Sequence, residues 1–223
     1  MDTQVEKAIQ ASLDQFSQLS KVNVSDFGKR IRDVFNLEAS FMEKVSLMDE
    51  AFDDEPKLDM FREVFFDLLM INFFAEDVKK LEEDYLDSKE WEDIEEETID
   101  RGTELLNVLL YIRECDDEEI EPELEDFLKE FLLVEEDEFQ DEHRIYEDII
   151  ANQILMDTSM EEIAKASNEL PEDSELKDLF YPIMAFFYQS ETSGQDMDSF
   201  IKNSVDAEFD APVYALLTSF NQS

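Results

Sequence analysis

The sequence predicts an all-α protein, an antiparallel helical bundle or irregular helical array of about nine or ten helices. Three observations predict it. Apolar residues recur at steps of three and four almost throughout the 223 residues. Gly and Pro number only three and five, and β-rich folds with many tight turns need more of both. The chain is 43% apolar with 19 Phe, enough hydrophobic content for a sizeable core despite its charge.

Taken in order, residues 24–48 carry the stripe Val24, Phe27, Ile31, Val34, Phe41, Val45 and Met48, interrupted at Glu38, which predicts one long amphipathic helix. A helix of about 30 residues is expected to open near Pro56, because proline suits a first helical turn. Its inward face is Phe61, Val64, Phe65, Leu68, Ile71, Phe74, Val78, Leu81 and Tyr85. Ser88 reads as the N-cap of the next helix, marked by Trp91, Ile94, Thr98, Leu105, Val108, Leu109 and Ile112. The acidic run Asp116–Glu121 reads as a linker. It divides residues 1–115 from residues 122–223, as two helical halves or as stretches of one continuous domain.

Beyond the linker, Pro122 is expected to open a helix whose inward residues are Leu124, Phe127, Leu128, Phe131 and Leu132. Phe139, Tyr146, Ile149, Ile150 and Ile154 continue at helical spacing. Ser159 and Glu162 have the form of a capping box ahead of Ile163 and Leu170. Leu176, Leu179, Phe180, Ile183, Phe186 and Phe187 predict a helix kinked or broken near Pro182. Two short helices are expected after Asp196 and after Asp210. The clusters opening at Leu58, Leu124 and Leu176 look alike, but their spacings of 66 and 52 residues are too unequal for a solenoid.

Charge narrows the function. Sixty-one Asp and Glu stand against 18 Lys and Arg, a formal net charge of −43. The excess is regional. Residues 1–48 hold seven acids and six bases, residues 49–148 hold 40 and nine, and residues 149–223 hold 14 and three. A surface this acidic repels nucleic-acid phosphates and anionic headgroups, so neither direct nucleic-acid binding nor membrane binding is expected. The most apolar stretch, Val64–Ala75, is too short to cross a bilayer and contains Asp67 and Asn72. Residues 1–30 lack an unbroken apolar stretch, and Cys115 is the only cysteine. Both observations lead to a cytoplasmic expectation.

Catalytic signatures are few. His143 is the only histidine, and Gln140 stands three residues before it, so neither a His-based nucleophile nor a Glu-x-x-His di-iron bundle is available. No glycine follows a calcium-loop triplet or forms a phosphate-cradling loop. Glu92 with Glu95, and Glu114 with Asp117, share the carboxylate spacing of magnesium-dependent all-α nucleotide pyrophosphohydrolases. In a region where 40 of 100 residues are acidic, that spacing arises by chance. Acidic neighbours raise the thiol pKa of Cys115 and make it a poor nucleophile. No cofactor is therefore expected, and neither is an enzyme. Separately, Val5, Ala8 and Ser12 in the 11-residue stretch VEKAIQASLDQ resemble a ubiquitin-interacting motif, departing from it at Gln15.

The remaining expectation is a binding protein that docks a basic protein, as a DNA mimic or an inhibitor or immunity-type decoy would. Its partner-binding residues are expected to be Glu92, Glu95, Glu96, Glu97, Asp116, Asp117, Glu118 and Glu119. Lys29, Arg30 and Arg32 are expected to pair with the chain's own carboxylates. Salt adaptation is the weaker explanation, because Lys outnumbers Arg twelve to six and Phe is abundant. A helical scaffold that binds through an apolar groove between helices is the alternative function, and the magnesium hydrolase comes after it.

Overall fold

The computed structural model describes residues 1–76, 88–131, 133–135, 138–139, 145–189 and 194–222. Among them lie twelve α-helices: α1 (Thr3–Ser20), α2 (Ser25–Asn36), α3 (Phe41–Asp53), α4 (Arg62–Glu76), α5 (Lys89–Thr98), α6 (Leu106–Glu118), α7 (Leu124–Asp126), α8 (Glu147–Ala151), α9 (Met160–Glu169), α10 (Phe180–Tyr188), α11 (Gly194–Asn203) and α12 (Ala207–Asn221). Ten have seven or more residues, and the chain is an all-α array. Extended structure among the described residues is one small antiparallel pair, β1 (Leu133–Glu135) and β2 (Glu138–Phe139), with Leu133 opposite Phe139. Phe139, expected on a helix, is thus in a strand. No helix among the described residues is long and apolar enough to cross a membrane.

The first helix packs along the last. Asp2 caps α1 by accepting from the N–H groups of Gln4 and Val5, satisfying two of its orphan donors. Val5, Ala8, Ile9, Ser12, Leu13 and Phe16 form its buried face, and one hydrophobic cluster extends from Val5 to Phe220. Gln4 Nε2 donates to the Phe220 carbonyl of α12 at 3.4 Å and to Asp116 of α6 at 3.2 Å. The small side chains Ala8 and Ser12, which carry the resemblance to a ubiquitin-interacting motif, are 0% and 1% exposed. They face this chain's own core and present no surface to ubiquitin. Gly28 marks a second close approach, since a Cβ there would lie 3.0 Å from Leu13 Cδ1.

Several expected helices are shorter than their periodicity implied. Residues 24–48 form α2 and α3, separated at Leu37–Ser40. Ser40 accepts from Glu43 N while the Glu43 carboxylate accepts from Ser40 N, a complete capping box that starts α3. The helix expected from Pro56 begins at Arg62, after a 3-10 turn at Asp59–Phe61; Val78, Leu81 and Tyr85 lie outside the described residues. Ser88 does cap α5, accepting from Trp91 N. That helix stops at Thr98, and Val108, Leu109 and Ile112 belong to α6, with Leu105 at its N-cap. The helix after Pro122 is the three-residue α7 running into a π-helical turn at Phe127–Phe131, with Leu132 outside the described residues.

The second half follows the same pattern. Ser159 caps α9 through Glu162 N. Pro182 does not kink α10, because it stands in the first turn, where a missing N–H costs nothing. The last helix is a full 15 residues and begins at Ala207, before Asp210, with Pro212 inside it. Phe200 of α11 is sandwiched between Tyr181 of α10 and Tyr214 of α12, with ring centroids 4.4 Å apart on both sides. This stack joins the three helices.

Helix α4 occupies the centre. Val64–Phe74 are all buried, Asp67 and Asn72 included. Both polar residues serve other elements. Asn72 Oδ1 accepts from Asp2 N at 2.8 Å, and Asp67 Oδ2 accepts from Leu105 N at 2.9 Å at the start of α6. Since α6 has no side-chain cap of its own, a carboxyl from the central helix takes that role.

Candidate functional site

The expected binding carboxylates fall on two helix segments. On α5, Ile94 is buried and Trp91 packs on Phe74 at 5.4 Å, while Glu92, Glu95, Glu96 and Glu97 are all exposed. At the end of α6, Cys115 is buried and Asp116, Asp117, Glu118 and Glu119 are exposed. The expected linker therefore begins three residues late: Asp116–Glu118 are helical. Glu119 closes α6 in the left-handed conformation at φ 58°, and Ile120 N donates back to the Cys115 carbonyl.

Except for Glu92, which stands in the first turn of α5 where an acid is favoured, these positions are electrostatically unfavourable. The C-terminal end of a helix carries partial negative charge, and an acid there loses roughly 0.3–1 kcal/mol where a base would gain it. The last turn of α6 holds Asp116, Asp117 and Glu118 with no base, and the last turn of α5 also lacks one. Asp116 accepts from Gln4. None of the other seven stands in an ion pair or side-chain hydrogen bond among the described residues.

The arginines among the described residues are committed elsewhere. Arg62 holds Asp49 at 3.3 Å, Asp53 at 2.6 Å and Asp59 at 2.7 Å, with its guanidinium 5.6 Å from the Phe52 ring. Arg101 pairs with Asp49 and with Glu63, the latter at 3.0 Å, and lies 5.2 Å from the Phe66 ring. Together they tie α3, α4 and the α5–α6 connection. Arg113 of α6 pairs with Asp2 at 2.7 Å. Of the three bases expected to pair internally, Arg30 meets Asp54 at 2.5 Å. Arg32 instead donates to Gln10 at 3.1 Å, and Lys29 is exposed.

Two buried carboxyls were not singled out from sequence. Burial pushes Asp67 well above the usual carboxylate range, opposed by the Leu105 amide and reinforced by Glu104 and Glu63. Its Oδ1 and the nearby Glu63 Oε2 are buried without partners. Tyr146, fully buried beside this group, donates to the Glu104 carbonyl. The second carboxyl is Asp210, 8% exposed, which accepts from Ser204 Oγ at 2.6 Å. Burial raises it to about 6, with Asp206 and Asp178 adding repulsion. The only sequence signal for Asp67 was its place inside an apolar run. Asp210, near a helix start, gave none.

Among the described residues no group of three or more His, Cys, Asp and Glu side chains comes together to hold a metal. Glu92 and Glu95 lie on α5, whereas Glu114 and Asp117 lie on α6. His143 and Gln140 lie outside the described residues. Burial pushes the Cys115 thiol up, and Glu114, Asp126 and Glu118 push it further, against the opposing effect of the neighbouring Tyr111 hydroxyl. The thiolate is correspondingly scarce. No protein-family model matches the chain, and neither a curated protein nor a solved structure is significantly similar to it.

Proposed function

We propose that the protein is a non-catalytic binder of a basic protein, engaging it through the exposed carboxylates of α5 and of the α6 terminus in the manner of a DNA mimic or decoy. The observation that carries this reading is the placing of Asp117 and Glu118 in a helix end that disfavours acids, in a last turn that holds no basic residue. A cationic partner relieves both that penalty and the self-repulsion of a net charge of −43. Solubility alone is served by a net charge of about 2–8 in magnitude. The test is capture from native lysate at low salt followed by stepwise salt elution, with Glu92, Glu95, Glu96 and Glu97 replaced by Gln in a parallel variant. Basic proteins should elute last from the native chain and earlier from the variant; a ligand retained equally at all salt concentrations would refute the reading.

A second reading, an adaptor that binds through an apolar groove alone, draws on a cavity of about 450 Å3 between α2 and α3, lined by Leu37, Ala39, Met42 and Leu47. Its one acidic side chain, Glu43, is occupied by the capping box. An interaction at that site would be insensitive to salt.

A further inference from the structure

Another groove combines apolar surface with acidic charge. Its cavity of about 420 Å3 is bounded by the start of α7, the 3-10 turn Gln153–Asp157 and the end of α10, within the range of about 300–1,000 Å3 typical of binding sites. Leu124, Ile154, Met156 and Phe187 supply the apolar lining, and Glu123, Glu125 and Asp157 the charge. Ile154 is 67% exposed: the helical periodicity that placed it inward fails because its segment is a 3-10 turn.

The walls are held firmly. The Tyr111 hydroxyl donates to the Glu123 carbonyl and accepts from Glu123 N, both at 3.1 Å. Phe187 stacks on Phe127 at 5.4 Å, and Tyr188 donates to the Thr158 carbonyl at 3.3 Å. Glu125 also meets Lys129, an exposed pair worth little. A preformed apolar recess with an acidic rim selects against anions and favours an apolar side chain flanked by Lys or Arg.

We propose that this groove receives an apolar anchor side chain of the basic partner, with Glu123, Glu125 and Asp157 meeting the bases on either side of that anchor. The proposal rests on the basic-partner reading and adds to it a specific point of attachment away from α5.

The test uses two short, fluorescently labelled Lys-rich peptides that differ only in a central Trp or Ser, titrated against the whole protein by fluorescence anisotropy at low and high salt. The Trp peptide should bind about tenfold more tightly. That preference should vanish in Ile154→Arg and persist in Val205→Arg, which makes the same charge change at another exposed apolar residue, 77% exposed. Both sites are exposed enough for the variants to fold. Equal, salt-dependent binding of the two peptides overturns the groove and leaves the basic-partner reading standing. A Trp preference that survives Ile154→Arg, or is lost equally in Val205→Arg, also overturns the groove. Failure of both peptides to bind in a salt-dependent manner overturns the basic-partner reading itself.

Discussion

Asp210 shows what it costs to place a carboxyl in the core of so acidic a chain. Its folded pKa of about 6 lies above the ordinary 3.8, so the folded state holds the proton more tightly than the unfolded state does. Stability from this group is complete below about pH 4 and is lost as pH rises to about 6, after which it changes no further. The difference of about two pH units corresponds to roughly 3 kcal/mol as an upper bound. The groups around it are Asp206, Asp178 and Tyr181, with Ser204 donating and Lys177 lining the same cavity. We expect Asp210→Asn to gain stability relative to the native chain between pH 4 and pH 7, seen by urea unfolding at both values. Parallel pH profiles for the two proteins would refute this. Asp67 belongs to the same class, but its carboxyl also caps α6, so a substitution there changes two things at once.

At the scale of elements, capping decides where helices begin. The apolar stripe through residues 24–48 is continuous enough to predict one helix, yet the chain leaves the helical conformation at Leu37 and re-enters it through Ser40. The Ser40-x-x-Glu43 signature is visible in the sequence and competes locally with the stripe; the four residues from Leu37 to Ser40 let α3 fold back on α2. Ser40→Ala removes the acceptor of the Glu43 amide and should cost about 1 kcal/mol, measured as a lower urea midpoint with an unchanged slope. The Ser40 backbone amide first, and its hydroxyl second, hold the Glu43 carboxyl below the usual range, so the variant, which keeps the amide, should raise Glu43 only part of the way back by NMR titration. The start of α6 follows the opposite rule. Its cap comes from Asp67, 38 residues away, and no local signature announces it.

For the whole molecule, the relevant quantity is the balance between one continuous core and a surface of like charges. The core joins α1 to α12 and surrounds α4, while Arg62, Arg101 and Arg113 are used in stitching elements together. Self-repulsion then opposes folding, and salt should relieve it. We expect Tm to rise by about 5 °C or more between roughly 0.01 M and 0.5 M NaCl, since each 1 kcal/mol moves Tm by about 2–4 °C at this size. A Tm independent of salt would mean that the carboxylates are far enough apart, or sufficiently paired, not to repel one another.

Helical class, the inward faces of most helices and the regional excess of acid follow from the order of residues alone, because periodicity and charge are local properties that each segment carries wherever it packs. The exposure of Glu92 and Glu96 follows in the same way from Trp91 and Ile94 on the opposite side, while Glu95 and Glu97 flank that apolar face. Tertiary structure decided the rest: that α1 lies against α12 and buries Ala8 and Ser12, that Asp67 caps α6, that Asp210 is enclosed, and that Ile154 faces outward beside an acidic rim. Each of these depends on which surfaces meet across long separations, and a choice of neighbour leaves no mark in the spacing of either segment.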